Sequence, residues 1–291
     1  LTVLTHAFKK LLKLENKTTQ TSLIESFKYP KLGPGQLWER VGDLFETKGG
    51  KILKNTQVTS ITKSGNKYLI KANDDIFEAD IVLSAMPLSD LYKAFDIQTA
   101  NENLKNIASN LIYRDFITIG LLVDKFKIEN ITDNWIYIQE SDVKLGRVQF
   151  FNNWSPYLVK DKNLKWVGLE YFCQEGDEMW SMEKDDFIDF AKNEFSKLGF
   201  ASKEDVKDAV AIYVKKAYPS YFGSYDKIDT LISHLKTLDN FYCIGRNGQH
   251  RYNNMDHSMM TAFSAVDIIL GKKTQDDLWN INTEKEYHES K

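Results

Sequence analysis

The stretch Phe241-Tyr242-Cys243-Ile244-Gly245-Arg246-Asn247-Gly248-Gln249-His250-Arg251-Tyr252-Asn253-Asn254-Met255-Asp256-His257 decides how the rest of the chain is read. Phe241 to Ile244 is a short apolar run of buried-strand type. It delivers the backbone into two glycines, where the chain can take positive φ or approach a ligand closely. An arginine between those glycines offers a forked pair of donors suited to a phosphate oxygen. The Asn and Asp residues that follow suit the cap of a helix from Asp256 to Leu270, ended by Gly271. Its first turn would present free N–H groups and the positive end of the helix dipole. A plain turn and helix cap, with Arg246 on a surface carboxylate, produces the same pattern.

Working outward, Ala79-Asp80-Ile81-Val82-Leu83-Ser84-Ala85-Met86-Pro87 is a second buried-strand run, halted by proline. It closes a segment of period two: Lys51–Leu53, Gln57–Thr62, a turn at Ser64-Gly65-Asn66, Lys67–Ala72, a turn at Asn73-Asp74-Asp75, then Ile76-Phe77. That pattern predicts a small antiparallel meander. Before it, the prolines and glycines of Tyr29 to Glu39 force a turn, and Leu37, Val41, Leu44 and Phe45 resume helical spacing until Gly49-Gly50. Leu1 to Phe27 reads as two helices broken near Asn16 to Thr18.

Between the two apolar runs, β-branched and aromatic residues concentrate in Tyr113–Asp124, Trp135–Gln139, Arg147–Phe151, Lys165–Phe172 and Ala209–Ala217. A sheet of several strands follows from this, backed by an amphipathic helix over Asp185–Leu198. The fold class is α/β with α+β character. Asn152, Asn153 and Trp154 have the amide-plus-aromatic composition of a sugar platform, and equally of a turn around a buried tryptophan. Tyr218, Tyr221 and Tyr225 suit aromatic packing with one or two lining a pocket. His257, in a first helical turn, reads as a structural hydrogen-bond partner.

Composition narrows the function classes. The 291 residues carry a formal net charge of -3 with acids and bases interspersed, so no broad basic field exists for tracking nucleic-acid phosphates. A small-molecule partner is expected. Cys173 and Cys243 each sit in an apolar run without metal-site or redox spacing, which points to core thiols and no metal. No apolar stretch is long enough to span a bilayer, and a cytoplasmic protein is expected.

Gly245-Arg246-x-Gly248-x-x-Arg251-Tyr252-x-x-Met255-Asp256 resembles the carboxy-terminal flavin motif of the UDP-galactopyranose mutases, a branch of the FAD-dependent amine oxidase and protoporphyrinogen oxidase superfamily. The likeness continues along the chain. Ala79–Pro87 resembles the strand that passes close to the FAD, and Gly49–Ile61 the segment whose valine, here Val58, lies by the adenosine. Gly33-Pro34-Gly35 resembles a glycine turn at the flavin, Leu111-Ile112-Tyr113-Arg114 a strand that points an arginine into the active site, and Ala217-Tyr218-Pro219 with Tyr225 the segment before the final strand.

The resemblance implies FAD as cofactor, held through Val58, Pro87, Gly245, Arg246, Gly248, Met255 and Asp256. Arg114, Tyr252 and Asn254 take catalytic places, and Tyr218, Tyr225 and Trp154 meet a substrate that is a nucleotide sugar by analogy to the mutases. Asn254 stands where the mutases carry an acid. The implied architecture is a partial FAD-binding domain of glutathione-reductase type (residues 31–95 and 240–271), a mixed-sheet substrate domain (1–30 and 96–239) and a tail (272–291). No Gly-x-Gly-x-x-Gly follows a strand anywhere, so the nucleotide-binding segment is expected to precede Leu1, and this chain alone to hold FAD weakly or not at all. Amine oxidase or protoporphyrinogen oxidase chemistry, and a non-catalytic carbohydrate- or protein-binding module, are the alternatives.

Overall fold

The computed structural model describes residues 28–282; the two helices expected within Leu1–Phe27 lie outside them. Helix α1 (Gly35–Thr47) forms where Leu37, Val41, Leu44 and Phe45 recur at helical spacing. Gly49, at φ 89°, stops it, since a left-handed residue closes a helix with least strain when it lacks a Cβ. Strands β1 (Val58–Ser64), β2 (Lys67–Ala72) and β3 (Asp75–Ala79) make the expected meander, with turns at Gly65-Asn66 and at Asn73, whose φ is 52°. Lys51–Leu53, expected as a strand, pairs with nothing among the described residues, so its alternation does not become a ladder.

The buried run expected over Ala79–Pro87 contracts to β4 (Val82–Ser84), followed by helices α2 (Leu88–Ala94) and α3 (Glu102–Ser109). Strands β5 (Leu111–Val123), β6 (Trp135–Tyr137), β7 (Arg147–Phe150), β8 (Lys165–Cys173) and β9 (Val206–Gly223) form one antiparallel sheet in the order β6-β7-β8-β5-β9. Helix α4 (Lys184–Lys197) backs it. The alternation in β5 explains the packing: Ile117, Ile119, Leu121 and Val123 turn inward and meet Phe187, Ala191 and Phe195, spaced by four along α4. Residues between them face the opposite side of the sheet, where Val210, Ile212 and Val214 of β9 stay exposed.

Helix α5 (Ile228–Lys236) leads to β10 (Phe241–Cys243), which runs parallel to β4 with Phe241, Tyr242 and Cys243 opposite Val82, Leu83 and Ser84. A core of Tyr68, Leu91, Tyr92, Phe95, Leu231, Leu235 and Phe241 ties meander, α2, α5 and β10 together. Leu104, Ile107, Leu111 and Tyr113 join this core, although they lie within the 96–239 span grouped with the mixed sheet by the sequence division. The last helices among the described residues are α6 (Met255–Ile269) and α7 (Gln275–Trp279). Leu278 and Trp279 are buried, so the described part of the expected tail is a docked helix. Cys173 and Cys243 are free, buried thiols, as expected; burial pushes the Cys173 thiol up to about 12.

Candidate active site

The turn after β10 lies at the carboxyl ends of the two parallel strands. Gly245 takes φ 74° and has open space around its missing side chain, while its N–H donates to Thr261 Oγ1 of α6 at 2.8 Å. Gly248 makes a close approach within the protein itself. A Cβ there would stand 2.6 Å from the Ser84 carbonyl oxygen and 3.2 Å from Ala85 Cα, so this glycine lets the turn seat directly on the end of β4. Gly245–Gly248 is one helical turn rather than open loop.

Arg246 projects from that turn. Its Nε donates to the Asn253 carbonyl at 2.8 Å and its Nη1 to the Ala217 carbonyl at 3.1 Å. The guanidinium carbon lies 4.9 Å from the Tyr218 ring centre and 5.0 Å from that of Tyr252, and these two rings stack with centroids 5.7 Å apart. Arg246 therefore meets carbonyls and π-faces, and the reading that puts it on a surface carboxylate is overturned. Tyr252 is fixed in turn: its N–H donates to Tyr221 Oη at 2.9 Å, and the Tyr221 ring stacks on Tyr225 at 4.5 Å. Tyr225 thus stands one ring behind the Arg246 cluster, against His250 and a small cavity it shares with Asp229 and Arg251.

The Ala217 carbonyl reaches Arg246 because β9 bulges. Tyr218 pairs with Arg114 and Val214 with Phe116, leaving Lys215, Lys216 and Ala217 opposite the single residue Asp115. Lys216 sits at φ 53°, an uncommon conformation for a long side chain. Asp115 holds it there: one carboxylate oxygen accepts from Lys216 N–H at 2.7 Å, the other from Glu175 N–H at 2.5 Å. Asn247 adds a bond from its side-chain amide to the Lys216 carbonyl at 2.9 Å. Sequence reasoning passed over Asp115. Its signal was phase, since Leu111, Tyr113, Asp115 and Ile117 share the inward face of one alternating strand.

From this cluster the open face of the sheet continues as a platform. Arg114, exposed and without a carboxylate partner among the described residues, lies 6.0 Å from the Phe172 ring, beside Phe116 and Tyr218. Next along β8, the buried Glu170 carboxylate accepts from Arg147 Nε and Gln149 Nε2, and Arg147 reaches Tyr137 Oη at 3.3 Å. None of these four residues was singled out as a site residue from the sequence, which placed them only within strands. Trp154 lies off the end of β7, its ring stacked with Tyr29 at 5.1 Å and with Trp135 at 5.3 Å. Asn152 and Asn153 spend their amides on backbone groups of the neighbouring loops, the turn-building use weighed above.

The start of α6 is solvent-facing. Asn254, Met255 and Asp256 are exposed, and Asn254 N–H donates to His257 Nδ1 at 3.3 Å, which makes His257 a capping partner as expected. Val58 packs against the edge of the first core, and Pro87 is the N-cap of α2 directly after β4. His250, fully buried at φ 49°, contacts Ser220 O through Nε2 at 3.0 Å; burial depresses its pKa to about 4 despite that bond.

The residues present fit a polar, flat cofactor at this turn. Asn247 Oδ1, His250 Nδ1 and Asn253 Nδ2 are buried without a hydrogen-bond partner among the described residues, so the loop has unused capacity. The outward face of α6 (Met260, Phe263, Val266, Leu270) and Ile81 and Leu83 at the parallel pair stay exposed. Parallel strands normally have both faces covered. A glycine turn at the carboxyl ends of parallel strands, set against an antiparallel platform, defines a two-part ligand-binding fold. The chain belongs to the family of flavin containing amine oxidoreductases, which it matches over residues 3–270.

Solved structures agree on the fold. A reduced UDP-galactopyranose mutase superposes with a TM-score of 0.75 at 20% identity, covering 87% of this chain and 54% of that one. A putative protoporphyrinogen oxidase from Exiguobacterium sp. gives 0.62 at 12% identity, covering 90% and 55%. A putrescine oxidase gives 0.57 at 13%, covering 82% and 53%. The chain therefore spans about half the length of these structures. No curated protein matches it. Among the described residues no cluster could hold a metal ion, and no helix is long and apolar enough to cross a membrane.

Proposed function

We propose that this chain supplies the substrate platform and the flavin-facing carboxy-terminal turn of an FAD-dependent enzyme acting on a sugar nucleotide in glycan synthesis. The observation that carries the reading is the Arg246 cluster: a guanidinium held by two backbone carbonyls, against Tyr218 and Tyr252, at the mouth of an open sheet face. A cation fixed in this way needs no rearrangement to meet negative charge. Gly245, Arg246 and the exposed start of α6 would hold the flavin side, with Pro87 at the end of β4. Arg114, Tyr218 and Tyr252 would orient a phosphorylated or hydroxyl-rich substrate across the platform. When bound, the flavin supplies either hydride acceptance or, reduced, nucleophilic attack at an anomeric carbon.

The exposed faces of α6 and the β4–β10 pair would receive the nucleotide-binding segment that cradles the pyrophosphate. This chain by itself is then expected to hold FAD weakly or not at all, and flavin retained by it through purification would refute this. The chemistry is tested on the complete flavoprotein. Reduced enzyme incubated with UDP-galactopyranose should yield the furanose isomer by chromatography, and failure to turn over removes the mutase reading while leaving the flavoenzyme reading intact. A complete protein that purifies colourless and takes up no FAD removes both.

A further inference from the structure

We propose that the segment Thr274–Asn282 is a strap that sets the direction of Arg246, with Asn282 and Arg251 as its positioning residues. Three side chains bind it to the outer side of the 249–253 loop. Gln249 Nε2 donates to the Leu278 carbonyl at 3.1 Å. Arg251 Nη1 donates to the carbonyls of Trp279 and Ile281, the latter at 2.9 Å. Asn282 reaches back with its amide to the Tyr252 carbonyl and to Asn253 Oδ1, both at 2.9 Å. Leu278 and Trp279 anchor the strap in the protein, each almost wholly buried.

The path to Arg246 is short. Asn282 fixes Asn253 and the peptide before it, and the Asn253 carbonyl is the acceptor for Arg246 Nε. Arg251 meets two carbonyls and the Trp279 ring, 6.0 Å from its guanidinium carbon, in return for losing much of its hydration, an expensive arrangement for a surface fastening and a reasonable one for a fixed support. Asn282 adopts φ 50°, so its backbone departs from ordinary geometry at the residue whose side chain makes the connection. The loop's inner side is held separately, by Tyr221 on Tyr252 N–H. With both sides held, the guanidinium has one orientation.

This geometry stands apart from the flavoenzyme reading, which gives it functional meaning but is not needed for its test. The chain has five arginines, Arg40, Arg114, Arg147, Arg246 and Arg251. Labelled with 15N-arginine, the full chain gives side-chain Nε–Hε signals, and loss of one signal in Arg246→Lys assigns that residue. Asn282→Gly removes both amide bonds while keeping a backbone that tolerates positive φ. In that variant the Arg246 signal should move toward the position of a solvated arginine, and its hydrogen exchange should quicken about tenfold or more, the factor that a bond of about 1.4 kcal/mol confers. The Arg147 signal should stay in place, because it reports the distant platform. Asn282→Asp, which keeps the shape but not the donor, should not rescue. Arg251→Lys should give a smaller shift of the same sign and serves where Asn282→Gly does not fold. An Arg246 signal unmoved in whichever of these variants is folded overturns the proposal.

Discussion

Asp115→Ala is the most revealing single change. The buried carboxylate accepts two backbone N–H groups and clamps the β9 bulge from which the Ala217 carbonyl reaches Arg246. Hydrogen bonds to a charged acceptor contribute about 1.5–3 kcal/mol each. Glu175 is exposed, so its N–H regains water when the acceptor goes, whereas Lys216 N–H lies partly covered inside the bulge. The expected net loss is therefore about 2–4 kcal/mol, below the simple sum of two bonds. Urea unfolding measures it, as a lowered midpoint with an unchanged slope if the rest of the fold stays intact. Asp115→Asn, which keeps one acceptor and turns a donor toward the other N–H, should recover less than half. Lys216→Gly is the control: relief of a left-handed lysine, worth about 1 kcal/mol, offsets loss of its partly exposed pair with Asp90, so stability should stay within about 1 kcal/mol of the parent. A loss below about 1 kcal/mol for Asp115→Ala would show that the bulge holds itself and that the carboxylate is incidental.

Three further outcomes follow from the same structure. His250 has a folded pKa near 4, depressed by burial, so the unfolded chain takes up its proton first as pH falls; stability is whole above about 6.5 and declines by about 3 kcal/mol between there and 4, and His250→Asn, which tolerates the positive φ, should flatten urea midpoints across that window. Gly248→Ala places a methyl against the backbone of Ser84 and Ala85, which cannot yield as a side chain can, and should cost about 1–3 kcal/mol by thermal unfolding. Phe263→Lys, on the outward face of α6 where the residue is 62% exposed, should change the stability of this chain by less than about 0.5 kcal/mol yet block its assembly with the proposed nucleotide-binding segment supplied as a separate polypeptide, read by co-purification; assembly at parental yield counts against that face as the docking surface.

The sheet strands were legible because periodicity is local: each inward residue of β5 announces its face two positions ahead. The meander turns were legible for a similar reason, since Gly65 and Asn73 supply positive φ where the chain reverses. What sequence reading missed depends on partners distant along the chain. Lys51–Leu53 alternates like a strand, but alternation cannot supply a neighbour. Helices α2, α3 and α5 are short and earn their place from a shared core, as Tyr92 shows by donating its phenol to the Leu231 carbonyl 139 residues away. The Arg246 turn was found from its glycines, while the seating of Gly248 on β4 was not legible because that neighbour arrives from more than 160 positions upstream. Arg147, Gln149 and Glu170 look like scattered surface polar residues until register sets them side by side.

Strand β5 passes through both hydrophobic cores, and β9 pairs with it along its length. The early part of β5 lies in the core shared with β10, and its later part lies under α4. The two halves are therefore built on common rods rather than joined by a flexible connector. A hinge between them would have to break the ladder hydrogen bonds between β5 and β9, which disfavours a swinging motion of one core against the other. Access to the platform within residues 28–282 is then set at its rim, by rotation of side chains such as Arg114 or displacement of the segments bordering the sheet, rather than by a global opening.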